Sequence, residues 1–492
     1  MALASVTTAS ENTAAGYDAL ANTTSGGNTA VGASALTSNI TGGDFTAVGY
    51  GVLYSATSGP NTALGYDAGY NITSGTHNIA IGYDAMLGTS ANPITGSDNI
   101  AIGDNALTSI TGGAASNVAI GYNALNQSTV SSTNPNTAIG TNAMEYATTA
   151  TGNTAVGNLA MQGTSAHPMT GAGQNVAVGD SALTAISGGD SGNTAVGYQA
   201  LYDNATNNNT AIGYQALETD ASGANNVAVG TYALNANASG ASSAAVGYAA
   251  LYKATGSPNT AMGYQAGEYI TSGSDNIAIG YLAMTGTSAN PLTGNYNTAI
   301  GDSALTAITT GADDNTAVGY QAGTAITGGT DNTLVGYQAG DAVTGNSNII
   351  VGESTTITSG SSNIVIGNNS TEITATSSSQ FDIGDTILVE GDHNLAMHGS
   401  GTVPTIASGC GSTASAIVGN NNAMVVPWGG TSGSTCTINF NGTWGSTPVC
   451  TANSSLNGVS ATITSSSTTV LSITLSAAET SGSVYIICLG YK

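Results

Sequence analysis

The chain has almost no positive charge. Lys253 and Lys492 are its only lysines, it contains no arginine, and 27 acidic residues bring the formal net charge to −25. Nucleic-acid binding needs a cationic surface that displaces counterions from phosphates, and attraction to an anionic membrane surface needs one too. No apolar run approaches the roughly 20 residues that span a bilayer. We therefore expect neither a nucleic-acid partner nor membrane insertion.

Cysteine is also scarce, and its four occurrences all fall in the last 83 residues: Cys410, Cys436, Cys450 and Cys488. Their spacing matches no zinc-binding pattern, and four cysteines allow three disulfide pairings. Disulfide bonds and buried thiols both remain open interpretations. The opening stretch "MALASVTTASENTAAGY" has no basic region followed by an apolar segment, so no secretory signal is expected.

Motifs that carry catalysis are missing. No glycine precedes a lysine, so there is no phosphate-binding loop, and neither a His-Glu-x-x-His pair nor a Gly-x-Ser-x-Gly elbow occurs. The sequence predicts a protein that is not an enzyme and carries no cofactor or metal. One group of titratable residues could hold a metal on a threefold axis, although a solvated turn region is favoured. That group is Asp382, Asp385, Glu390, Asp392, His393 and His398.

What the chain does contain is a repeat. The residues "NTAVGYQAL" at 193–201 return as "NTAIGYQAL" at 209–217, and aligning all copies on their glycine gives 21 units from Gly16 to Gly367. We number each unit from its asparagine as position zero, which places the glycine at position four. Asn193 with Gly197, and Asn209 with Gly213, are the reference pairs. Position zero is Asn in 19 units, position two is Ala in 18, and position three is Val, Ile, Leu or Met in 20.

The alternation within the unit predicts a strand, because successive side chains of a strand point to opposite faces. Most units repeat every 16 to 18 residues, which suits one coil of a solenoid and is too short for a helical hairpin or a propeller blade. The sequence thus predicts an all-β protein with a parallel β-solenoid (β-roll) shaft. We expect positions one and three to line the interior, position zero to form an asparagine ladder, and the glycine to permit a positive φ or a close backbone approach.

Alanine at positions two and seven suggests a further role. Small side chains let another backbone approach closely, so we interpret these alanines as a subunit contact that builds a homotrimer. The alternative is that alanine simply fits a narrow coil. Tyrosine follows the glycine in 12 units, and this stripe is either a sugar-binding surface or a ladder of stacked rings, with stacking favoured. Three units carry a shared insert, "GTSANPITG", "GTSAHPMTG" or "GTSANPLTG".

The units of the form N-[TIV]-A-[VI]-G-Y-x-A-L resemble the repeats of phage tail fibres and are similar to the head repeats of trimeric autotransporter adhesins. The resemblance covers about residues 12–369. The stretch "STCTINFNGTWGSTPVCTANS" and the ending "VYIICLGYK" resemble a C-terminal domain that recurs on fibre-like phage proteins. A Lys/Arg-rich intramolecular chaperone, which many such fibres carry, and the membrane-anchoring barrel segment of an autotransporter are not expected here.

The resemblance and the change of pattern after Gly367 divide the chain into four parts. They are an N-terminal cap or attachment segment (1–11), the 21-unit shaft (12–370), a junction (371–400) and a β-rich tip (401–492). In the tip, residues 436–440, 470–475 and 484–489 have the patterns of strands separated by Ser, Gly, Asn and Pro clusters. We expect them to form an antiparallel sandwich-like or barrel-like domain.

The predicted function is that of a structural fibre with a receptor-binding tip. The resemblance implies a virion tail fibre that contacts a host cell-surface glycan or protein at one end and tail or baseplate proteins at the other. A bacterial or archaeal cell-surface adhesin or extracellular filament is the alternative. Trp428 and Trp444 lie in glycine-rich stretches and are candidate receptor contacts, although each also suits the core of the tip.

Two rival functions are weaker. A glycan-cleaving tailspike needs two carboxylates facing each other in a cleft, whereas the acids here lie mostly in turns. An ice-binding solenoid needs a regular threonine ladder. Position one interrupts such a ladder with Ile79, Ile100, Val118, Val176 and Val227.

Overall fold

The computed structural model describes residues 2–3, 9–128, 135–204, 206–220, 222–237, 239–308, 311–354, 359–368 and 378–383, and beyond these only the strands given below. The residues it describes form strands and turns, and none of them is helical. The chain divides into two compact units, Met1–Thr293 and Gly294–Lys492. Each unit is described by itself.

The first unit is built from short strands, one for each repeat and two more. In chain order they are β1 (Thr13–Ala15), β2 (Thr29–Val31), β3 (Thr46–Val48), β4 (Thr62–Leu64), β5 (Ile79–Ile81), β6 (Ile100–Ile102), β7 (Val118–Ile120), β8 (Thr137–Ile139), β9 (Thr154–Val156), β10 (Val176–Val178), β11 (Thr194–Val196), β12 (Asp203–Asn204), β13 (Thr210–Ile212), β14 (Thr219–Asp220), β15 (Val227–Val229), β16 (Ala244–Val246), β17 (Asn259–Met262) and β18 (Asn276–Ile279). Apart from β12 and β14, each strand pairs in parallel with the strand of the next repeat, with Ala195 opposite Ala211 and Val196 opposite Ile212. The predicted parallel β-solenoid is confirmed.

The second unit contains a parallel ladder of the same kind, which extends beyond the repeats. Its parallel strands are β19 (Thr298–Ile300), β20 (Thr316–Val318), β21 (Thr333–Val335), β22 (Ile349–Val351), β23 (Ile364–Ile366) and β24 (Phe381–Ile383). The last parallel pair, β23 with β24, joins residues of the predicted shaft to residues of the predicted junction, and the boundary at residue 370 stays a prediction. The stretch "QFDIG" is a degenerate unit, because Gln380 takes position zero and its backbone N–H donates to Asn363 Oδ1 at 2.8 Å.

After β24 the strands pair in antiparallel fashion. They are β25 (Ile387–Glu390), β26 (Asn394–Ala396), β27 (Thr405–Ser408), β28 (Val418–Gly419), β29 (Ala423–Trp428), β30 (Thr435–Asn439), β31 (Val449–Ser454), β32 (Ala461–Ser466), β33 (Val470–Leu475) and β34 (Gly482–Leu489). β25 and β26 extend the ladder sheet, and the others form two four-stranded sheets in the orders β27-β30-β33-β32 and β28-β29-β34-β31. The three strands expected in the tip correspond to β30, β33 and β34. A sandwich-like packing of the two sheets stays a prediction.

The side of the strand that faces the interior is the opposite of the predicted one. Asn209 at position zero and Ala211 at position two are fully buried, whereas Thr210 is half-buried and Ile212 is 41% exposed. The prediction that positions one and three line the interior is wrong. So is the assignment of the alanines to a subunit contact, because position-seven alanines such as Ala216 are also buried within their own coil.

The width of the coil explains this inversion. Interiors are close-packed, so the space opposite the large residue at position eight leaves room for little more than a methyl group at position two. One coil shows an exchange of volume: position two becomes Leu334, while position eight is Gly340 in the same unit and Gly323 in the unit before it. A methyl group added to either glycine would lie 2.8 or 2.6 Å from a Leu334 methyl carbon. The alternative interpretation, that alanine fits a narrow coil, is therefore correct.

The leucine or methionine at position eight adopts a left-handed backbone conformation in coil after coil. Leu201 and Leu217, for example, both have φ of +51° and are fully buried. This conformation costs an L-residue about 1–2 kcal/mol, and burying a leucine returns about 1.5–3 kcal/mol. The burial offsets the strain, so the tight turn can direct positions seven and eight into the same interior.

The glycine at position four meets both demands that the sequence suggested. Gly213 has φ of +141°, and a Cβ atom built on it would lie 2.5 Å from the carbonyl oxygen of Gly230 in the next coil. Gly197 has φ of +138° and approaches the Gly213 carbonyl in the same way. Only a residue without a side chain fits at this corner.

The substitution Gly213→Ala tests the close approach. The added methyl group would collide with the Gly230 carbonyl at an unfavourable φ, so we expect the local stability to fall by more than about 2 kcal/mol. Amide hydrogen exchange in the flanking coils measures the loss, because a stack of repeats does not unfold as a single unit. Gly113→Ala is the matched control, since nothing lies within 4 Å of its Cβ position. Equal protection in the two variants would contradict the assignment.

Candidate functional site

The most continuous surface feature of the described coils is the outward side of the parallel sheet, which we call the ladder face. It consists of the side chains at positions one and three, so most coils present one Thr, Ile or Val and one Val, Ile, Leu or Met. Within Met1–Thr293, ten of its large apolar members remain 37–53% exposed, whereas others, such as Ile79 and Val196, are half-buried. The ten are Val31, Leu64, Ile139, Val176, Val178, Ile212, Val227, Val246, Met262 and Ile277.

An asparagine ladder holds the strands behind this face in register. The backbone N–H of Asn193 donates to Asn175 Oδ1 at 2.9 Å, and Asn193 Oδ1 accepts the backbone N–H of Asn209 at 2.9 Å. Its Nδ2 donates to the carbonyl of Thr206 at 2.9 Å. Each buried amide is thus bonded to neighbouring coils, which a buried polar group requires. The ladder repeats this arrangement along the stack and aligns the outward side chains in two ranks.

The units without a ladder asparagine show how the structure compensates. Ser243 Oγ accepts the next ladder N–H at 3.1 Å. Six residues earlier, the buried Asn237 bonds both to the N–H and to the carbonyl of Gly240, at 2.7 Å each. The unit with Phe45 carries Asn39 at the same distance before it, with the same kind of turn. In these units the asparagine lies six residues before position zero, and its side-chain hydrogen bonds still close the turn that precedes the strand.

A stripe of tyrosines borders the ladder face at position five. Tyr198 and Tyr214 stack with ring centroids 5.2 Å apart, and Tyr248 and Tyr264 stack at 5.1 Å. Where position five lacks a tyrosine, Tyr232 stands edge-on between the two stacks and closes the gap. A sugar ring would need a free aromatic face, and stacking covers these faces. The geometry favours the interpretation as a structural ladder, with the hydroxyl edges outward.

Several carboxylates along the coils are held in surroundings that disfavour their charge. Partial burial raises the pKa of Asp67, with the carboxylate of Asp84 in the next coil adding to the effect, and burial alone raises that of Asp84. Burial also raises the pKa of Asp190 against the opposing hydrogen bonds from Ser187. Glu268 behaves in the same way, since burial outweighs its hydrogen bonds and the nearby Lys253.

The structure does not gather the other candidates into a site. Trp428 ends strand β29, opposite Gly482, and therefore does not lie in a loop. Trp444 lies outside the described residues. Of the acidic and histidine group, Asp382 is buried in β24 and Glu390 ends β25, whereas the rest lie outside the described residues: Asp385, Asp392, His393 and His398.

Within the part of the chain that the structure describes, no three His, Cys, Asp or Glu side chains come together in a way that could hold a metal ion. The same residues contain no helix long and apolar enough to cross a membrane. Comparison with protein-family models, with curated proteins and with solved structures finds no match for the chain. The ladder face is thus the feature on which a functional interpretation rests.

The ladder face was missed at the level of the sequence, although a signal was present. Position two is Ala in 18 units, while position three is almost always larger. In a coil of this small period the narrower side is the interior, so residue size, and not hydrophobicity, marks the buried face. Hydrophobic alternation alone gives the strand and leaves its orientation undetermined.

Removing one ladder amide tests its role. Asn193→Ala takes away the acceptor for the Asn209 N–H and the donor to Thr206, so buried polar groups lose partners at about 1–3 kcal/mol each. We expect faster hydrogen exchange in the coils on both sides. Asn193→Ser should recover part of the protection, since Ser243 fills the same position naturally. Asn92→Ala, at an exposed insert tip, should change nothing. Identical behaviour of N193A and N92A would overturn the assignment.

The raised pKa values predict a dependence of stability on pH. A carboxyl group whose pKa is higher in the folded state binds more protons there, so the free energy of unfolding increases as pH falls through that folded-state pKa. We expect the coils around Asp67, Asp84, Asp190 and Glu268 to be more stable near pH 4, close to the ordinary pKa of a carboxyl group, than at pH 7. Chemical unfolding at the two pH values measures this. Asp67→Asn should reduce the difference, and a chain that weakens on acidification would refute the prediction.

Proposed function

We propose that the protein is a structural fibre whose shaft is a parallel assembly of copies of this chain, most simply a trimer, joined through their ladder faces. The supporting observation is the exposure of the ladder face itself. Over the sixteen repeat strands of Met1–Thr293, a pitch of about 4.8 Å and a strand width of about 10 Å give roughly 750 Å² of surface. Soluble monomers rarely expose an apolar patch larger than a few hundred Å².

The area and the spacing both suit a second copy of the chain as the occupant. Each partner of a standard protein interface contributes about 800 Å², which is close to the area of the ladder face. A second copy has the same strand pitch, so its side chains can interdigitate with the ladder over its whole length. Copies of one chain related by a closed rotation leave no ladder face exposed, and a threefold arrangement does this with a single kind of contact.

The wider function follows from the uniform shaft. Coils with nearly the same side chains present the same chemistry repeatedly, which suits reach and mechanical support. Selective binding needs distinct residues on loops held by a rigid scaffold. We therefore propose recognition of a host cell-surface glycan or protein by the C-terminal part, with Trp428 and Trp444 as contacts. A virion tail fibre attached to tail or baseplate proteins is the favoured setting, and a cell-surface adhesin or extracellular filament is the alternative.

The outward threonines favour one further candidate. Twelve units carry Thr at position one, and these threonines lie on the exposed side of a regular sheet, as an ice-binding surface requires. Three consecutive coils, however, place Ile79, Ile100 and Val118 there. Such an apolar run suits a dry contact better than ordered water. A chain that stays monomeric and lowers the freezing point would favour ice binding.

The oligomeric state tests the fibre proposal. We expect a mass about three times 47.8 kDa in sedimentation experiments on the full chain. Val178→Asp places a charge on the ladder face, which should dissociate the assembly because a buried unpaired charge is strongly unfavourable. Ala91→Asp adds the same charge at an exposed insert tip and should leave the mass unchanged. A wild-type chain that sediments as a monomer would refute the assembly.

The proposed receptor contacts are tested by variants that lose binding to cells but still assemble. Neighbouring genes identify the setting: tail and baseplate genes indicate a virion fibre, and secretion or surface-layer genes indicate an adhesin. On the corresponding cells, full-length W428A and W444A should bind at least about tenfold more weakly, in line with aromatic interface anchors. Both variants should keep the mass of the wild type. Undiminished binding by both would move the recognition site elsewhere.

A further inference from the structure

We propose that association of the shaft is linked to the uptake of inorganic cations, so that salt and especially divalent ions promote assembly and their removal reverses it. The inference rests on the proposed assembly through the ladder face. It adds a regulating ligand to that assembly and is carried by the amount and the placement of negative charge.

The amount of charge is comparable to that of a nucleic acid. Met1–Thr293 contains fifteen carboxylates and a single lysine, Lys253. Spread over sixteen coils at about 4.8 Å each, this is one net negative charge per about 5.5 Å of stack. Two charges in water interact with about the thermal energy at roughly 7 Å, so one copy is already densely charged. Three copies side by side would carry one charge per about 1.8 Å, against about 1.7 Å in duplex DNA.

The placement of charge concentrates it beside the proposed contact. Nine of the fifteen carboxylates flank the outward strand: four directly precede position zero, two directly follow the turn glycine and three lie one residue beyond it. We call these two flanks the margins of the ladder face. The margin carboxylates are Glu11, Asp44, Asp98 and Asp275 on one side and Asp18, Asp67, Asp84, Asp104 and Asp180 on the other.

No lysine of this unit lies on either margin, since Lys253 is six positions past its turn glycine, with its Nζ 5.4 Å from the centre of the Tyr269 ring. The basic group on the margins is the imidazole of His77, which directly precedes Asn78 and has its Nδ1 4.0 Å from Asp98 Oδ1. Copies that meet through their ladder faces therefore bring together margins that carry nine carboxylates and one histidine each.

Repulsion along a margin already acts within one copy. Asp67 and Asp84 occupy the same position in consecutive coils, and the charge of Asp84 adds to the effect of burial in raising the pKa of Asp67. When copies join, the number of such close carboxylate pairs increases, whereas the free energy gained by burying each ladder face stays the same. Cations from solution then supply the missing charge, and a divalent ion neutralises two carboxylates at the entropic cost of one ion.

The sign of the salt effect distinguishes this mechanism from others. Assembly that takes up cations becomes stronger as the salt concentration rises. Binding of a basic protein to DNA, which releases cations, becomes weaker under the same change. Purely apolar association changes little between dilute and physiological salt. The Debye length falls from about 30 Å at 0.01 M to about 8 Å at 0.15 M, so the margins interact strongly in the first condition and weakly in the second.

Sedimentation of the full chain at these two NaCl concentrations tests the proposal. We expect the association constant to rise at least about tenfold from 0.01 to 0.15 M, and MgCl₂ to restore assembly at a lower ionic strength than NaCl. Equal assembly at both concentrations, or assembly that weakens with salt, would overturn the inference and leave the fibre proposal intact. A chain that is monomeric in every condition would overturn the fibre proposal itself.

Neutralising variants locate the effect. D67N/D84N/D104N/D180N removes four margin charges and should assemble at lower salt than the wild type. It should fold, because other coils hold Asn123 or Gln199 at position six, as for Asp67 and Asp84, and Asn158 at position five, as for Asp104 and Asp180; circular dichroism verifies this. The matched control, E145Q/D203N/E218Q/E268Q, removes four charges away from the margins and should shift the salt midpoint less. An equal shift in both variants would refute the role of the margins.

Discussion

Within a coil, the two backbone walls lie so close together that side-chain volume decides which residue can stand where. Position four admits no side chain, position two is Ala in 18 units, and Leu334 at position two fills the space beside Gly323 and Gly340. Position zero is then left with an amide that must bond along the stack. The left-handed leucines supply most of the buried apolar volume, at the cost of backbone strain.

The same narrowness decides what the coil shows to its surroundings. In an ordinary sheet the β-branched residues face the core and small or polar residues face water, but here the inward position two of the strand is Ala in 18 units and holds Ile350 or Val365 only near the end of the stack. The Val and Ile of positions one and three stand outward beside threonines, on a face that the fold of one chain leaves exposed. The interior of the single coil and the proposed interior of the assembly are therefore two different cores, the first selected by size and the second by hydrophobicity.

The period, the strand, the parallel stacking and the corner glycine could all be predicted from the sequence, because each follows from local chemistry repeated 21 times. The orientation of the strand could not be predicted from alternation, since Ala211 and Ile212 are both apolar and only the coil width separates them. The rung at Gln380 was missed because its unit keeps the length and the glycine of the motif while replacing Asn and Ala. The candidates Trp428 and Trp444 have no repeat to place them, so the sequence gives no geometry for that part of the chain.

The asparagine ladder has a direction, and this bears on how the chain is made. Apart from the coils that follow Phe45 and Ser243, the ladder N–H donates to the amide oxygen of the coil that precedes it in the sequence, as Asn209 does to Asn193. A newly synthesised coil therefore finds its acceptor already in place on the part of the chain that left the ribosome earlier. At about 5–20 residues per second, a coil emerges in roughly one to three seconds, far longer than local folding events take. The stack can grow as a template that extends in the direction of translation, with no coil waiting for a distant partner in the sequence.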